Sequence, residues 1–288
     1  MRTRTGRRSA CIRLGWMVAI ALAAPGPRAA EAAESAEDGY PVDPDTQIRI
    51  HTASGRVEVR THDRPVVELR RGGRSRLAVE RRPEAGRLLV RSSNRAIRIT
   101  VPEGADLRIH SASGRVEVMG RTTRLEVRSA SGAVTLRGAS AEARIGTMSG
   151  DVRTTEAVGR LAVETYSGDV DVDGPVAELR VQTVSGDLDV RSERLPTELR
   201  VKTVSGDVDL KGDLPAGASW EVTSTSGDVR LRRTNAQGLR LEARSWSGSI
   251  ELPSGRRESC ESCDRSLVID GGGAELRFTS YSGDVDIR

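Results

Sequence analysis

The dipeptide Ser-Gly returns in one context at Ser54, Ser113, Ser131, Ser149, Ser167, Ser185, Ser205, Ser226, Ser247 and Ser282. From Ser113 to Ser185 every interval is 18 residues, and it then lengthens to 20, 21 and 21. The last interval, 35, carries an insertion, and the first, 59, has room for two degenerate copies, one at SSNRAIRI (Ser92 to Ile99). A period this short and regular is the mark of a stacked repeat, in which no single copy can bury its own apolar row.

The residues around each Ser say what a copy is made of. Six and four positions before it the chain is apolar, as in Leu179 and Val181 or Leu199 and Val201, and two before it every copy carries a hydroxyl, as in Thr183 and Thr203. This period-two alternation describes one face of a strand, running apolar, apolar, hydroxyl and then the motif Ser. After the Gly the apolar residues fall three and five positions beyond the Ser, as in Leu188 and Val190. An unbroken strand would carry them to the opposite face. One residue must be absorbed at Ser-Gly, by a bulge or corner, and Gly takes the backbone conformation that requires.

The expected fold is therefore all-β: a parallel β-solenoid with coils of about 18–21 residues, in which apolar columns and a hydroxyl ladder stack about 4.8 Å apart. An antiparallel β-sandwich, with each Ser-Gly as a hairpin turn, is the alternative, and it leaves the constant spacing unexplained. An aromatic content of 2%, with Val, Leu and Ile in short alternating runs, suits many short strands better than amphipathic helices.

The expected layout is a signal peptide over 1–32, a linker over 33–45, an N-terminal cap with degenerate repeats over 46–104, the regular repeat over 105–252, a loop insertion holding Cys-x-x-Cys over 253–275, and a final repeat over 276–288. In the leader, five arginines from Arg2 to Arg13 precede the apolar run Leu14 to Ala24, and Ala30-Glu31-Ala32 is a small-x-small cleavage signal. The run is well short of the roughly 18 residues of a membrane span. Cys11 precedes it, which excludes a lipoprotein acylation site there. The expected localisation is export to the periplasm, cell surface or extracellular space. Arg7-Arg8 points only faintly to the twin-arginine route.

Charge supports this division. The leader holds six of the 45 basic residues, and residues 33–288 carry 39 basic and 40 acidic groups. A nucleic-acid partner loses its main support once the basic leader is set aside. Residues 33–138 carry 20 basic and 14 acidic groups, whereas residues 139–288 carry 19 and 26, a dipolar arrangement compatible with end-to-end self-association.

Four sets of residues have the chemistry for a site. Asp151, Asp169, Asp187, Asp207 and Asp228 come directly after the Gly and would stack as a carboxylate row, with Asp171, Asp189 and Asp209 as a second row. Neighbours about 5 Å apart repel by roughly 1 kcal/mol even in water, which Ca²⁺, an oxygen-seeking cation, would relieve; the structural reading is that they cap backbone amides or pair with Arg. Cys260 and Cys263, the only cysteines after the leader, are candidates for a local disulfide in an oxidising compartment. Tyr166, Trp246 and Tyr281 precede their motif Ser, on the outward parity with Met148, Val184 and Val204, and would form a binding strip for an envelope protein or a glycan. His51 and His110 take outward positions. No paired nucleophile and base, phosphate loop or zinc-ligand spacing is found, so no catalytic residue and no cofactor is expected. A carbohydrate-active β-helix enzyme using the Asp rows, or a cation-stabilised rod, is the alternative to a non-enzymatic scaffold.

The copies TMSGDV, TYSGDV, TVSGDL, TVSGDV and STSGDV, behind a leader, resemble the bacterial putative-adhesin family of exported β-strand-repeat proteins, a family of unknown function. The resemblance covers about residues 46–288 and is strongest from Leu107 to Leu252. It implies a β-solenoid and an adhesin or interaction scaffold of the cell envelope, and it transfers no ligand or site residue. The chain departs from an anchored adhesin in showing no membrane-spanning segment, lipobox or sorting signal after the leader.

Overall fold

The computed structural model describes residues 39–71, 76–82, 86–93, 96–156, 158–235, 238–252, 257–269 and 273–288. The expected leader lies outside them, and the described residues belong to one compact unit, Ala33–Arg288. They form 25 strands: β1 Gly39–Pro41, β2 Gln47–Thr52, β3 Val57–His62, β4 Val66–Arg71, β5 Arg76–Arg82, β6 Arg87–Ser93, β7 Ile97–Pro102, β8 Ala105–Ser113, β9 Val116–Met119, β10 Thr122–Ser131, β11 Val134–Arg137, β12 Ser140–Ser149, β13 Val152–Thr154, β14 Val158–Ser167, β15 Val170–Asp173, β16 Val176–Ser185, β17 Leu188–Arg194, β18 Glu198–Ser205, β19 Val208–Asp213, β20 Ser219–Ser226, β21 Val229–Arg233, β22 Leu239–Glu251, β23 Arg257–Ile269, β24 Ala274–Ser282 and β25 Val285–Ile287.

Each regular coil is one long strand, a corner at Ser-Gly, and one short strand. Long strands pair in parallel with long strands and short with short, so Leu125 faces Ala143, Leu179 faces Leu199 and Leu199 faces Trp220 across the stack. The pairing is that of a parallel β-solenoid and excludes the sandwich. Parallel strands buried in this way draw their stability from the apolar columns between them. Burial alternates as the sequence pattern requires: Leu179, Val181 and Thr183 are buried before the corner, Leu188 and Val190 after it.

The corner itself is a column of glycines. Gly168, Gly186 and Gly206 hold φ of 143°, 139° and 148°, a region that favours a residue without Cβ. A Cβ on Gly186 would stand 2.2 Å from the carbonyl oxygen of Gly168 in the coil below. The Gly168 amide donates to the Ser185 carbonyl oxygen at 3.1 Å, and the Gly186 amide to that of Ser205 at 3.2 Å. Two expectations change here. The motif Ser is exposed at Ser167, Ser185 and Ser205, not on the inward face with the hydroxyl two positions before it. The buried hydroxyls also do not form a continuous ladder. Thr147 and Thr165 lie 3.3 Å apart, while Thr52 and Ser111 donate to carbonyl oxygens at their own corners; the hydroxyls of Thr183, Thr203 and Ser224 have no partner among the described residues.

Stacking follows chain order in the middle and departs from it at both ends. The first coil, β2–β3, lies between the second, β6–β7, and the third, β8–β9. The 59-residue interval thus holds one extra coil and not two, with Ser92 at the register of Thr52. Two further strands of that interval are antiparallel cap strands, β5 on β6 and β4 on β7. Strand β1 pairs antiparallel with β4, so part of the expected linker is a strand.

At the other end β24 pairs with β20 on one side and β22 on the other, and β25 likewise with β21 and β22. The last coil in the chain is therefore next to last in the stack. The Arg288 amide donates to the Leu231 carbonyl oxygen and its own carbonyl accepts from the Arg233 amide, both at 2.9 Å. The expected loop insertion contains a 13-residue strand, β23, which runs antiparallel along the whole of β22 and closes the stack. This order also explains the core: Phe278 sits between Val222 and Ala243, a large ring beside a small side chain, as close packing demands. Trp220, an indole in an inward column, donates its Nε1–H to the Pro196 carbonyl oxygen at 2.8 Å.

Candidate functional site

The outer surface is a lattice of columns, each set by one offset from the corner. One of them on the long strands is charged and largely self-paired. Asp106, Arg124, Glu142, Arg160 and Glu178 succeed one another with alternating sign, and Arg124 reaches Asp106 at 3.3 Å and Glu142 at 3.7 Å. Arg160 reaches Glu178 at 2.9 Å. Such exposed pairs contribute little each, about 0–1 kcal/mol, and their clearer effect is to set register.

The carboxylates after the Gly serve the corner. The Asp187 amide donates to Asp169 Oδ1 at 3.0 Å, the Asp207 amide to Asp187 Oδ1 at 2.8 Å, and the Asp228 amide to Asp207 Oδ1 at 2.9 Å. The row starts at Asp151, which accepts from the Asp169 amide at 3.2 Å, continues from Asp228 to Asp284, and ends where Asp284 Oδ1 accepts from the Ser249 amide at 2.8 Å. Each carboxylate thus satisfies an amide that the corner takes out of the sheet ladder. Arg230 lies across the row, 2.8 Å from Asp207 Oδ2 and 2.5 Å from Asp228 Oδ2; hydrogen bonding to Asp207 raises its pKa further.

In the second row Asp171, Asp189 and Asp209 are directly in register. Burial pushes the Asp189 carboxyl above its usual range and the neighbouring Asp209, Asp171 and Asp173 add to this, while Arg191, which it contacts, opposes it. Among the described residues no three His, Cys, Asp or Glu side chains converge as cation ligands.

His51 and His110 face each other in register on β2 and β8, with ring centroids 4.9 Å apart and planes within 3°. Burial lowers both pKa values below the usual 6.5; for His51 the neighbouring His110, Arg91 and Arg49 add to this, and for His110 Arg128, Arg49 and Arg108 do so against Glu126.

The predicted strip is brought together as one column. Met148, Tyr166, Val204, Tyr281 and Trp246 are 54%, 56%, 49%, 60% and 60% exposed. All stand immediately before the motif Ser, on coils whose Ser residues are in register from Ser149 through Ser167, Ser185, Ser205, Ser226 and Ser282 to Ser247. At about 4.8 Å per strand the ridge is roughly 29 Å long. Tyr281 and Trp246 are 35 residues apart in sequence and adjacent in space, with ring centroids 6.0 Å apart and planes within 5°. Sequence reasoning found the members of the ridge and missed their order, because that order depends on the inserted last coil. The faces of these two rings turn toward each other.

Cys260 and Cys263 lie on β23, opposite Gly248 and Ser245 of β22.

No curated protein matches the chain. A solved structure described as a putative cell adhesion protein from Clostridium sporogenes ATCC 15579 aligns with 87% of this chain and 97% of its own, at 11% identity and a TM-score of 0.24. The pattern of the Toastrack DUF4097 family matches residues 41–288, all but one of the described strands in full, and with that match the chain belongs to the Toastrack DUF4097 family.

Proposed function

We propose that this chain is a non-enzymatic binding protein of the cell envelope, an adhesin-type scaffold that presents the ridge from Met148 to Trp246 to a partner outside the cytoplasm. The observation that carries the reading is the ridge itself: five large apolar side chains exposed in one register column, on a frame whose neighbouring columns are polar. Exposed apolar side chains gathered in this way mark interaction surfaces, and Trp and Tyr dominate the energetics of such contacts. The mutual stacking of Tyr281 and Trp246 takes one face of each ring away from any sugar, which favours a protein partner over a glycan. The use of the Asp row by corner amides supports a structural role for those carboxylates. Export rests on the leader at residues 1–32.

The test is capture from an envelope extract by the immobilised chain, comparing wild type with Trp246→Ala/Tyr281→Ala and with Asp187→Asn/Asp207→Asn. The ridge variant is expected to lose its captured partner and the acidic variant to keep it. Capture indifferent to the ridge variant sinks the reading, as does a polysaccharide-cleaving activity that disappears in the acidic variant.

A further inference from the structure

Far from the ridge, the outer face of the first coils gathers cations around the two stacked histidines. The column three residues before the corner runs Arg91, His51, His110 and Arg128 across β6, β2, β8 and β10. Two residues earlier on their strands, Arg49 and Arg108 stand in register beside it. On the corner side the neighbouring positions hold only Ala53, Ala112 and Ala130, where later coils carry Met148 and Tyr166. Neither His51 nor His110 has a hydrogen-bond partner for its ring nitrogens among the described residues, and Arg91 has no ion pair there. We propose that this cluster is a binding site for a tetrahedral oxyanion, a phosphate or sulfate group, which binds together with protons taken up by the two imidazoles.

The local charges make such a ligand fit. Glu126 of β10 faces the patch between Arg108 at 3.4 Å and Arg128 at 2.9 Å, and Asp106 of β8 is engaged by Arg124 at 3.3 Å. On the far side β5 sets Ala78 opposite Arg91 and Glu80 opposite Leu89. The carboxylates thus fall short of the cations around the rings. Rings parallel within 3° and 4.9 Å apart present matching edges side by side, so one oxyanion can accept an N–H from each. Guanidinium forks at the margins suit the same oxygens, two at a time.

Proton uptake follows from the same geometry. With no anion bound, burial and then the surrounding cations hold both histidines below the usual 6.5. An anion between the rings favours the charged imidazoles and raises both values. Binding and protonation are therefore reciprocal: affinity is highest below the pKa values of the free protein and falls as pH rises from there through the raised values of the complex.

The test titrates the full chain with inorganic sulfate, which stays a dianion across the range, against chloride at equal ionic strength. Calorimetry is expected to show sulfate binding at least about tenfold tighter near pH 5.5 than near pH 7.5, and the His51 and His110 imidazole resonances should titrate at higher pH in sulfate. His51→Gln/His110→Gln removes the pH dependence, Arg49→Gln/Arg91→Gln weakens binding at least about fivefold at both pH values, and Arg160→Gln, outside the patch, changes nothing. Sedimentation with phosphatidylglycerol vesicles but not phosphatidylcholine vesicles, lost in the histidine variant, assigns the oxyanion to a lipid headgroup; sulfate binding without vesicle binding assigns it to a soluble ligand. Sulfate binding no better than chloride, a pH dependence that survives in the histidine variant, or unshifted imidazole titrations overturn the proposal.

Discussion

Replacing Gly186 by Ala tests the corner most directly. The new Cβ would lie 2.2 Å from the Gly168 carbonyl oxygen and 2.7 Å from its carbon, at a φ of 139° that side chains rarely adopt. The neighbouring backbone cannot yield, since long and short strands on both sides of the corner are paired in register with the next coil. Backbone strain of this kind costs about 1–3 kcal/mol. Moving the chain also endangers the bond from the Gly168 amide to Ser185 and the one from the Asp187 amide to Asp169, each worth about 1 kcal/mol. The expected loss is about 3–5 kcal/mol. Gly146 is the control: it lies in the interior of β12 with nothing within 4 Å of an added Cβ, so Gly146→Ala should be neutral or stabilise by a few tenths of a kcal/mol, the sign expected when strand Gly is replaced. Urea unfolding followed by circular dichroism gives both values, and hydrogen exchange at Gly168 and Asp187 reports local opening. A Gly186→Ala protein within about 1 kcal/mol of wild type, or one no worse than Gly146→Ala, would refute the account of the corner.

Other substitutions exploit the same geometry. Asp187→Ala strips the Asp207 amide of its acceptor and should cost about 1–2 kcal/mol, whereas Asp187→Asn keeps an oxygen there and should cost clearly less; urea midpoints separate the two. Thr183→Val replaces a buried hydroxyl that lacks a partner among the described residues and should raise stability by about 0.5–1 kcal/mol, read as an increase in Tm. His51 and His110 have folded pKa values below 6.5, so their contribution is fully present above 6.5 and is lost as pH falls from there through the lowered values. Melting scans between pH 7.5 and 5 should therefore show a steeper fall in Tm for wild type than for His51→Gln/His110→Gln. Asp189, with its folded pKa raised above 3.8, is costly when charged, and relief comes as pH falls through that raised value. At neutral pH Asp189→Asn should stabilise by about 0.2–1 kcal/mol, and an unchanged or lower Tm would contradict this.

The ridge was legible as a set because its members share one offset from the motif Ser, and a column in a parallel stack is a fixed offset. The Asp row was legible as a row, but its purpose was not. Whether stacked carboxylates repel, bind a cation or accept amides depends on where the next coil's amide points, and that is a property of the corner's backbone. The hydroxyl row was overread for the same reason: Thr183 and Thr203 are in register, yet their hydroxyls do not bond to each other.

The period of the Ser-Gly corner and the parity change across it determined the coil length, the inward and outward residues and the glycine column, since each comes from local backbone geometry and from one repeat's inability to bury its apolar row. The order of the coils at the two ends was decided only in the tertiary structure. Strands of matching pattern are interchangeable to a local reading, and what selects among them is packing and edge closure. Phe278 fills the space Ala243 leaves, the final coil enters between two that precede it, and antiparallel strands cover the stack at both ends. The pairing of Tyr281 with Trp246 is a product of that non-local choice.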